Sequence, residues 1–237
     1  MTKREYDLIV VGAGPAGSSA AYAAAKNGIK VALLEKEENV AQTVRTSGVT
    51  WIDYAKEFGI PEDCYNPIRT YNFCSPNNTV SITDNKPKAA VLDVRKTYRF
   101  LADMAKKNGA EIFVNTNVTN VITENGSIVG VKASSSNSEM IFHARMLIDA
   151  SGFQSAVSKS LGLVKQWERF GVGAEYEAEV ENVKSDTWWL MVGQMYSPAG
   201  YAWIFPPTMD PEEMPESETT LSVGVPSTAN LRSPRDL

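Results

Sequence analysis

The sequence has few of the residues from which metal centres and histidine-based catalytic sites are built. Its 237 residues include two cysteines, Cys64 and Cys74, and one histidine, His143. The cysteines do not form a CxxC pair, so no zinc or haem pattern is present and we expect no metal site. Ser-His-Asp and Cys-His catalysis would both depend on the single histidine, which argues against those mechanisms.

Positive charge is also scarce. Lys and Arg number 23 against 28 Asp and Glu, and the net charge is -5. Nucleic-acid binding depends largely on clustered cations, so this balance argues against a nucleic-acid partner. With 43% hydrophobic and 22% charged residues, the composition is typical of a folded globular protein.

No segment is predicted to cross a membrane. The one long uncharged run, Leu8–Ala25, contains three glycines and a proline, and its second half consists mostly of alanine and serine. Such a run inserts poorly into hydrocarbon. Because the sequence also shows no targeting signal, we expect a cytoplasmic location.

The first 36 residues predict a βαβ unit. An apolar strand is expected at 6–11, an alanine-rich helix at 15–27 and a second strand at 30–34. Between the first strand and the helix lies Gly12-Ala-Gly14-Pro15-Ala16-Gly17, and Glu35-Lys36 follows the second strand. In such a motif the first glycine permits a tight turn, the second admits a pyrophosphate, the third packs the helix closely, and the terminal acid accepts ribose hydroxyls. We therefore predict a dinucleotide site, and the motif alone leaves NAD and FAD open.

The rest of the sequence predicts two further helices and several strands before a second sheet. The expected elements are short strands and loops at 57–90, a helix at 92–108, a strand at 111–114, a hairpin at 117–131 turning at Asn125-Gly126, a buried strand at 146–149 and a helix ending at Leu161. After Gly162, alternating segments at 172–180, 187–196, 201–205 and 219–225 predict a sheet that we expect to be antiparallel.

This order of segments resembles the superfamily of FAD-dependent hydroxylases and geranylgeranyl reductases. The resemblance is carried by the βαβ unit, the helix that opens with Asp93-Val-Arg95, the strand and hairpin at 115–131, and Leu147-Ile-Asp149-Ala150-Ser151-Gly152. It implies that the cofactor is FAD. The further cofactor-binding residues that it implies are Arg45, Ser47, Gly48, Arg95, Val118, Ala150 and Gly152. Exposed arginines are common, so a purely solvated role for Arg45 and Arg95 stays open.

A second segment, Gly200-Tyr201-Ala-Trp203-Ile-Phe205-Pro206, resembles the P-G-Y-x-W-x-F-P segment of geranylgeranyl reductases. In a strand Tyr201, Trp203 and Phe205 share one face, so together with Pro206 they are predicted to bind an isoprenoid chain. An aromatic stripe at period two is also common in protein cores, and that alternative stays open.

The resemblance implies an enzyme that reduces C=C bonds of isoprenoid chains on lipid precursors by hydride transfer from reduced flavin. NAD(P)H or ferredoxin would act as the transient reductant, and no catalytic acid is identifiable. Flavin halogenases carry a similar W-x-W-x-I-P segment, so a halogenase or aromatic hydroxylase is the alternative enzyme. A non-catalytic nucleotide- or lipid-binding fragment is the alternative from another class. The lipid substrate leaves room for peripheral membrane contact.

We therefore expect an α/β fold in which a Rossmann-like FAD-binding domain, residues 1–56 and 91–165, is interleaved with a β-rich substrate domain, residues 57–90 and 166–237. The resemblance covers nearly the whole chain but only the N-terminal part of a family member. A later Gly-Asp-Ala segment and the C-terminal part of the family fold are expected to be missing. We accordingly predict contacts to the adenylate half of FAD without those to its isoalloxazine ring.

Overall fold

The structure is a computed structural model that describes residues 3–135, 138–165, 170–181, 184–197, 200–206 and 218–229. The chain divides into two units, the first formed by Met1–Val44 and Arg95–Gln166 and the second by Arg45–Val94 and Trp167–Leu237.

The described strands, in chain order, are β1 (Lys3–Val11), β2 (Val31–Leu34), β3 (Val49–Trp51), β4 (Tyr65–Ile68), β5 (Thr70–Cys74), β6 (Thr79–Thr83), β7 (Ala89–Leu92), β8 (Glu111–Phe113), β9 (Asn117–Glu124), β10 (Ser127–Ser135), β11 (Ser138–Asp149), β12 (Phe170–Glu181), β13 (Thr187–Val192), β14 (Tyr201–Phe205) and β15 (Glu218–Ala229). The helices are α1 (Pro15–Lys26), α2 (Ile52–Glu57), α3 (Val94–Lys107) and α4 (Ala156–Ser160). None of these helices is long and apolar enough to cross a membrane.

The first unit contains a six-stranded sheet in the order β8-β2-β1-β11-β10-β9. The four strands from β8 to β11 are parallel, and β10 and β9 continue the sheet in antiparallel pairing. In a parallel sheet the carboxyl ends of the strands meet at one edge, where ligands usually bind. The turns that follow β1, β2 and β11 therefore lie side by side.

Alternation along β1 and β2 assigns their side chains to two apolar clusters. Leu8, Val10, Val31 and Leu33 pack with small residues of the helices, among them Ala21 and Ala25 of α1 and Ala105 of α3. Ile9, Val11, Ala32 and Leu34 belong to the other cluster, which includes Phe142 of β11. The small helix residues let the helices approach the sheet closely.

The predicted α/β fold class and its local elements are confirmed by the structure. The β9–β10 hairpin turns at Asn125 and Gly126, whose φ angles of 50° and 80° are both left-handed, as a type I′ turn requires. The strand expected at 146–149 is longer than predicted, because the first half of β11 pairs with β10 as well as with β1.

The second unit contains a six-stranded sheet in the order β12-β15-β14-β13-β5-β6 and a three-stranded sheet in the order β3-β7-β4. The strands after Gly162 pair with one another in antiparallel fashion, as expected. The sheet also contains one parallel pair with an earlier strand, because β13 pairs with β5 from Thr187↔Thr70 to Met191↔Cys74. The structure assigns β3 and α2 to this unit, whereas the sequence suggested that they belong with the nucleotide-binding part. The reason is that β3 pairs with β7, from Val49↔Val91 to Trp51↔Ala89.

Candidate functional site

The turn after β1 is shaped by two glycines that the chain itself requires. Gly12 has a φ of 100°, and a Cβ atom on it would lie 2.5 Å from the Ala150 carbonyl oxygen. A Cβ atom on Gly17 would collide with the Gly12 carbonyl oxygen and would lie 3.2 Å from Cβ of Ala150. Close approach of backbone to backbone therefore explains both residues without any ligand.

Gly14 differs from the other two glycines because nothing in the described chain requires it. Its φ of -67° and ψ of -177° are open to any residue, and a Cβ atom on it would have no heavy atom within 4 Å. Gly14 caps the N-terminus of α1, and Pro15 occupies the first helical position. In the described part of the chain, the N–H groups of Gly14, Ala16 and Gly17 donate no hydrogen bond. Open space and free donors at a helix N-terminus fit a pyrophosphate.

Glu35 follows β2 and connects the first two turns. Its half-buried carboxylate accepts a hydrogen bond from the Ala13 N–H at 2.8 Å and another from the Glu37 N–H at 3.0 Å. A carboxylate offers about four lone-pair sites, so two N–H donors leave room for a ribose hydroxyl. Glu35 thus holds the glycine turn in place and keeps acceptor capacity at the carboxyl edge of the sheet.

The turn after β11 is organised by Asp149. Its carboxylate accepts hydrogen bonds from the N–H and hydroxyl of Ser151, at 3.2 and 2.6 Å, and from the N–H and hydroxyl of Ser158, both at 2.7 Å. Burial alone would raise the pKa of Asp149, but these four hydrogen bonds outweigh it and hold the pKa below its usual range. The network fixes Ala150, whose carbonyl oxygen faces Gly12.

One side-chain contact joins the second and third turns. The exposed ammonium group of Lys36 donates to the side-chain carbonyl of Gln154 at 3.1 Å. The structure therefore brings together the predicted residues Gly12, Gly14, Pro15, Ala16, Gly17, Glu35, Lys36, Ala150 and Gly152 at the edge formed by the ends of β1, β2 and β11.

The other predicted cofactor residues lie elsewhere in their units. Arg95 is exposed on α3, and Val118 is half-buried on β9, where it packs against the apolar cluster around Phe142. In the second unit Arg45 is exposed and Ser47 is half-buried. Gly48 has a φ of 73°, and a Cβ atom on it would lie 2.8 Å from the Leu92 carbonyl oxygen, so local packing explains this glycine.

The predicted substrate residues lie on and after β14, which is an interior strand of its sheet. Trp203 and Phe205 are only 8% and 4% exposed and belong to the core cluster of the second unit, whereas Tyr201 is 45% exposed. Pro206 is buried as well. In the structure the aromatic stripe is thus mostly core, with one exposed member, and contact of these residues with a substrate stays a prediction.

The role of Asp149 was not predicted from the sequence. The available signal was an acidic residue at the end of a buried strand, followed by serines two and nine positions later. Among the described residues there is no group of three or more His, Cys, Asp or Glu side chains arranged to hold a metal ion.

Comparison with known proteins places this geometry in a family. The sequence model of the family described as FAD dependent oxidoreductase matches residues 7–159, which is more than half of the chain. Digeranylgeranylglycerophospholipid reductase of Methanocella arvoryzae is 32% identical over 212 residues, covering 86% of this chain and 54% of the relative. The enzyme of the same name from Methanocaldococcus jannaschii is 33% identical over 208 residues, covering 85% of this chain and 52% of the relative.

A solved structure from Thermoplasma acidophilum, described as geranylgeranyl bacteriochlorophyll reductase-like, superposes with a TM-score of 0.83 at 28% identity. It covers 99% of this chain and 59% of that protein. The chain thus spans about half the length of the curated relatives it matches. The glycine turn, the acidic residue after β2 and the match over 7–159 agree: the chain belongs to the FAD dependent oxidoreductase family.

Proposed function

We propose that the chain binds FAD along the turns after β1, β2 and β11. The observation that carries the proposal is Gly14, where neither backbone conformation nor packing within the described chain calls for a glycine. The pyrophosphate would lie over Gly14, and its oxygens would accept hydrogen bonds from the free N–H groups of the first turn of α1. Glu35 would accept ribose hydroxyls, and Lys36 would lie beside the phosphates.

The remaining cofactor residues are proposed on the family resemblance. Arg45, Ser47 and Gly48, together with Arg95, Val118, Ala150 and Gly152, would complete the contacts to FAD. Ala150 and Gly152 are supported further by their place in the turn beside Gly12.

For the whole protein we propose reduction of C=C bonds in isoprenoid chains of lipid precursors. The names of the relatives support this substrate class. Bound and reduced, FAD would supply the hydride, and NAD(P)H or ferredoxin would reduce it again. Residues of the chain would bind and orient both partners and exclude water, and Tyr201, Trp203, Phe205 and Pro206 would contact the isoprenoid.

Replacing Gly14 by valine tests the cofactor assignment. We expect Gly14→Val to weaken FAD binding at least 100-fold, about 3 kcal/mol, because its side chain fills the space of the pyrophosphate. Stability should change by less than about 1 kcal/mol, because the Cβ position is open. Ala23→Val, exposed on the same helix, is the matched control and should bind FAD normally. Equal FAD affinity of Gly14→Val and wild type in fluorescence quenching would exclude this site.

The reductase assignment needs a separate measurement. Protein loaded with FAD and reduced chemically should convert a geranylgeranyl lipid to a product heavier by two hydrogens per saturated bond, as measured by mass spectrometry. A protein that retains FAD but leaves the lipid unchanged would contradict the substrate class and leave the cofactor assignment intact.

A further inference from the structure

A polar cleft of about 480 Å³ lies on the six-stranded sheet of the second unit. Its floor consists of two rows of side chains across β6, β5 and β13, because strand pairing aligns Thr83 with Thr70 and Thr187, and Ser81 with Asn72 and Trp189. Its rim carries Arg69, Lys184 and Asp186. All of these residues belong to the second unit.

The cleft lies on the face of the sheet opposite to the apolar core. Tyr71 and Trp188 alternate with the floor residues along β5 and β13, and both belong to the core cluster with Trp203 and Phe205. Successive side chains of a strand point to opposite faces. The polar floor is therefore separate from the apolar core of the unit, and its hydroxyl and amide groups line the cleft.

Asn72 contributes a side-chain amide to the floor of the cleft. The residue is 9% exposed, and its side-chain carbonyl oxygen accepts a hydrogen bond from the Ser81 hydroxyl at 2.6 Å. Within the described residues, its amide NH2 group donates no hydrogen bond, although the residue lines the cleft. This amide group is therefore open to an acceptor from a ligand in the cleft.

The rim adds two cations and one carboxylate. In the described part of the chain, neither Arg69 nor Lys184 forms an ion pair, although the chain as a whole is acidic. The backbone carbonyl of Asp186 accepts hydrogen bonds from the N–H groups of Arg69 and Thr70, at 2.9 and 3.0 Å. These two bonds connect the rim of the cleft to its floor. One carboxylate oxygen of Asp186 accepts a hydrogen bond from the Thr187 hydroxyl at 3.1 Å, and the other is open to a donor from a ligand.

We propose that this cleft binds a phosphate ester of a small polyhydroxy compound. Arg69, Lys184 and the amide of Asn72 would bind the phosphate, since guanidinium and ammonium groups form strong charge-assisted hydrogen bonds with phosphoryl oxygens. Asp186 would accept a hydroxyl of the ligand, and the half-buried indole of Trp189 would contact its carbon skeleton. A volume of 480 Å³ lies in the range of small-molecule sites and exceeds the needs of a phosphate ion alone.

The proposal is independent of FAD binding and is tested by calorimetry on the intact chain. The probes are sn-glycerol 3-phosphate, glycerol and inorganic phosphate. We expect sn-glycerol 3-phosphate to bind at least tenfold more tightly than either of the other two. Arg69→Ala and Lys184→Ala should each weaken binding of sn-glycerol 3-phosphate about tenfold, because each removes one charge-assisted hydrogen bond.

Lys56→Ala is the matched control, because it removes an exposed lysine of the same unit that does not line the cleft. No binding of sn-glycerol 3-phosphate, or the same loss in Lys56→Ala as in Lys184→Ala, would overturn the proposal. Equal affinity for inorganic phosphate would overturn the assignment of a polyol ester. The ligand could come from a lipid headgroup or from a soluble compound, and vesicles of phosphatidylglycerol, compared with vesicles of phosphatidylcholine, distinguish these two sources. Binding to both sn-glycerol 3-phosphate and phosphatidylglycerol vesicles indicates a lipid headgroup. Binding to sn-glycerol 3-phosphate alone indicates a soluble compound.

Discussion

The three glycines of one motif have three different physical roles. Gly12 provides a positive φ beneath Ala150, Gly17 admits the carbonyl of Gly12, and Gly14 leaves open a surface on which no other described atom lies. Only Gly14 points to a molecule outside the chain. The distinction matters because substitutions at the first two positions affect folding, whereas one at Gly14 affects binding.

Adding a single methyl group separates these roles. We expect Gly17→Ala to reduce the free energy of unfolding by about 1–3 kcal/mol, because its Cβ atom would collide with the Gly12 carbonyl oxygen. Gly14→Ala, its matched control, should change that free energy by less than about 0.5 kcal/mol. Urea unfolding followed by circular dichroism measures both values. Equal stability of the two variants would contradict the close packing of α1 against the turn.

Asp149 gives the chain a pH-dependent contribution to stability. Because its pKa in the folded protein lies below the ordinary value of 3.8, the ionised carboxylate stabilises the fold above that pH, and the contribution is lost as the pH falls through the folded pKa. Asp149→Asn should therefore be less stable by about 2 kcal/mol at pH 7, and the difference from wild type should shrink below pH 3.8. Unfolding free energies at pH 7 and near pH 3 test this, and a difference that stays constant would contradict it.

At the scale of elements, β14 shows how one alternating segment meets two environments. Tyr201, Trp203 and Phe205 share a face, yet Tyr201 at the start of the strand is exposed, and the other two are enclosed by the core of the second unit. Trp203 lies with its ring centroid 6.1 Å from that of Phe205 and 5.8 Å from that of Tyr201. The stripe was readable from the sequence, but the neighbours that bury it come from distant strands.

Truncating the buried Trp203 and the exposed Tyr201 of this stripe should therefore have unequal effects. Trp203→Ala should reduce the free energy of unfolding by about 3–5 kcal/mol, because it empties a buried site. Tyr201→Ala, on the same face of the same strand, should reduce it by less than about 1 kcal/mol. Thermal melts give the comparison, and adding a geranylgeranyl lipid tests binding separately. A Trp203→Ala variant that melts like wild type would mean that Trp203 does not serve the core.

At the scale of the whole molecule, local patterns were predictable and distant pairings were not. The βαβ unit and the Asn125-Gly126 hairpin depend on residues near in sequence, so propensity and turn chemistry indicated them. The parallel pairing of β13 with β5 joins strands far apart in the chain, and nothing in either strand's alternation selects that partner. For the same reason the cleft around Asn72 was invisible in the sequence, as its floor exists only once β6, β5 and β13 are adjacent.

The candidate site itself predicts which half of FAD dominates binding to this chain. The groups brought together after β1, β2 and β11 are free N–H donors, a carboxylate and a lysine, which suit a pyrophosphate and a ribose. ADP carries both of these groups, so we expect it to bind with an affinity close to that of FAD. Calorimetry with FAD, ADP and AMP measures these affinities, and Gly14→Val should weaken the binding of FAD and of ADP by the same factor. If FAD binds a thousandfold more tightly than ADP, about 4 kcal/mol, then residues beyond these three turns hold the isoalloxazine ring, and the adenylate half does not determine the affinity.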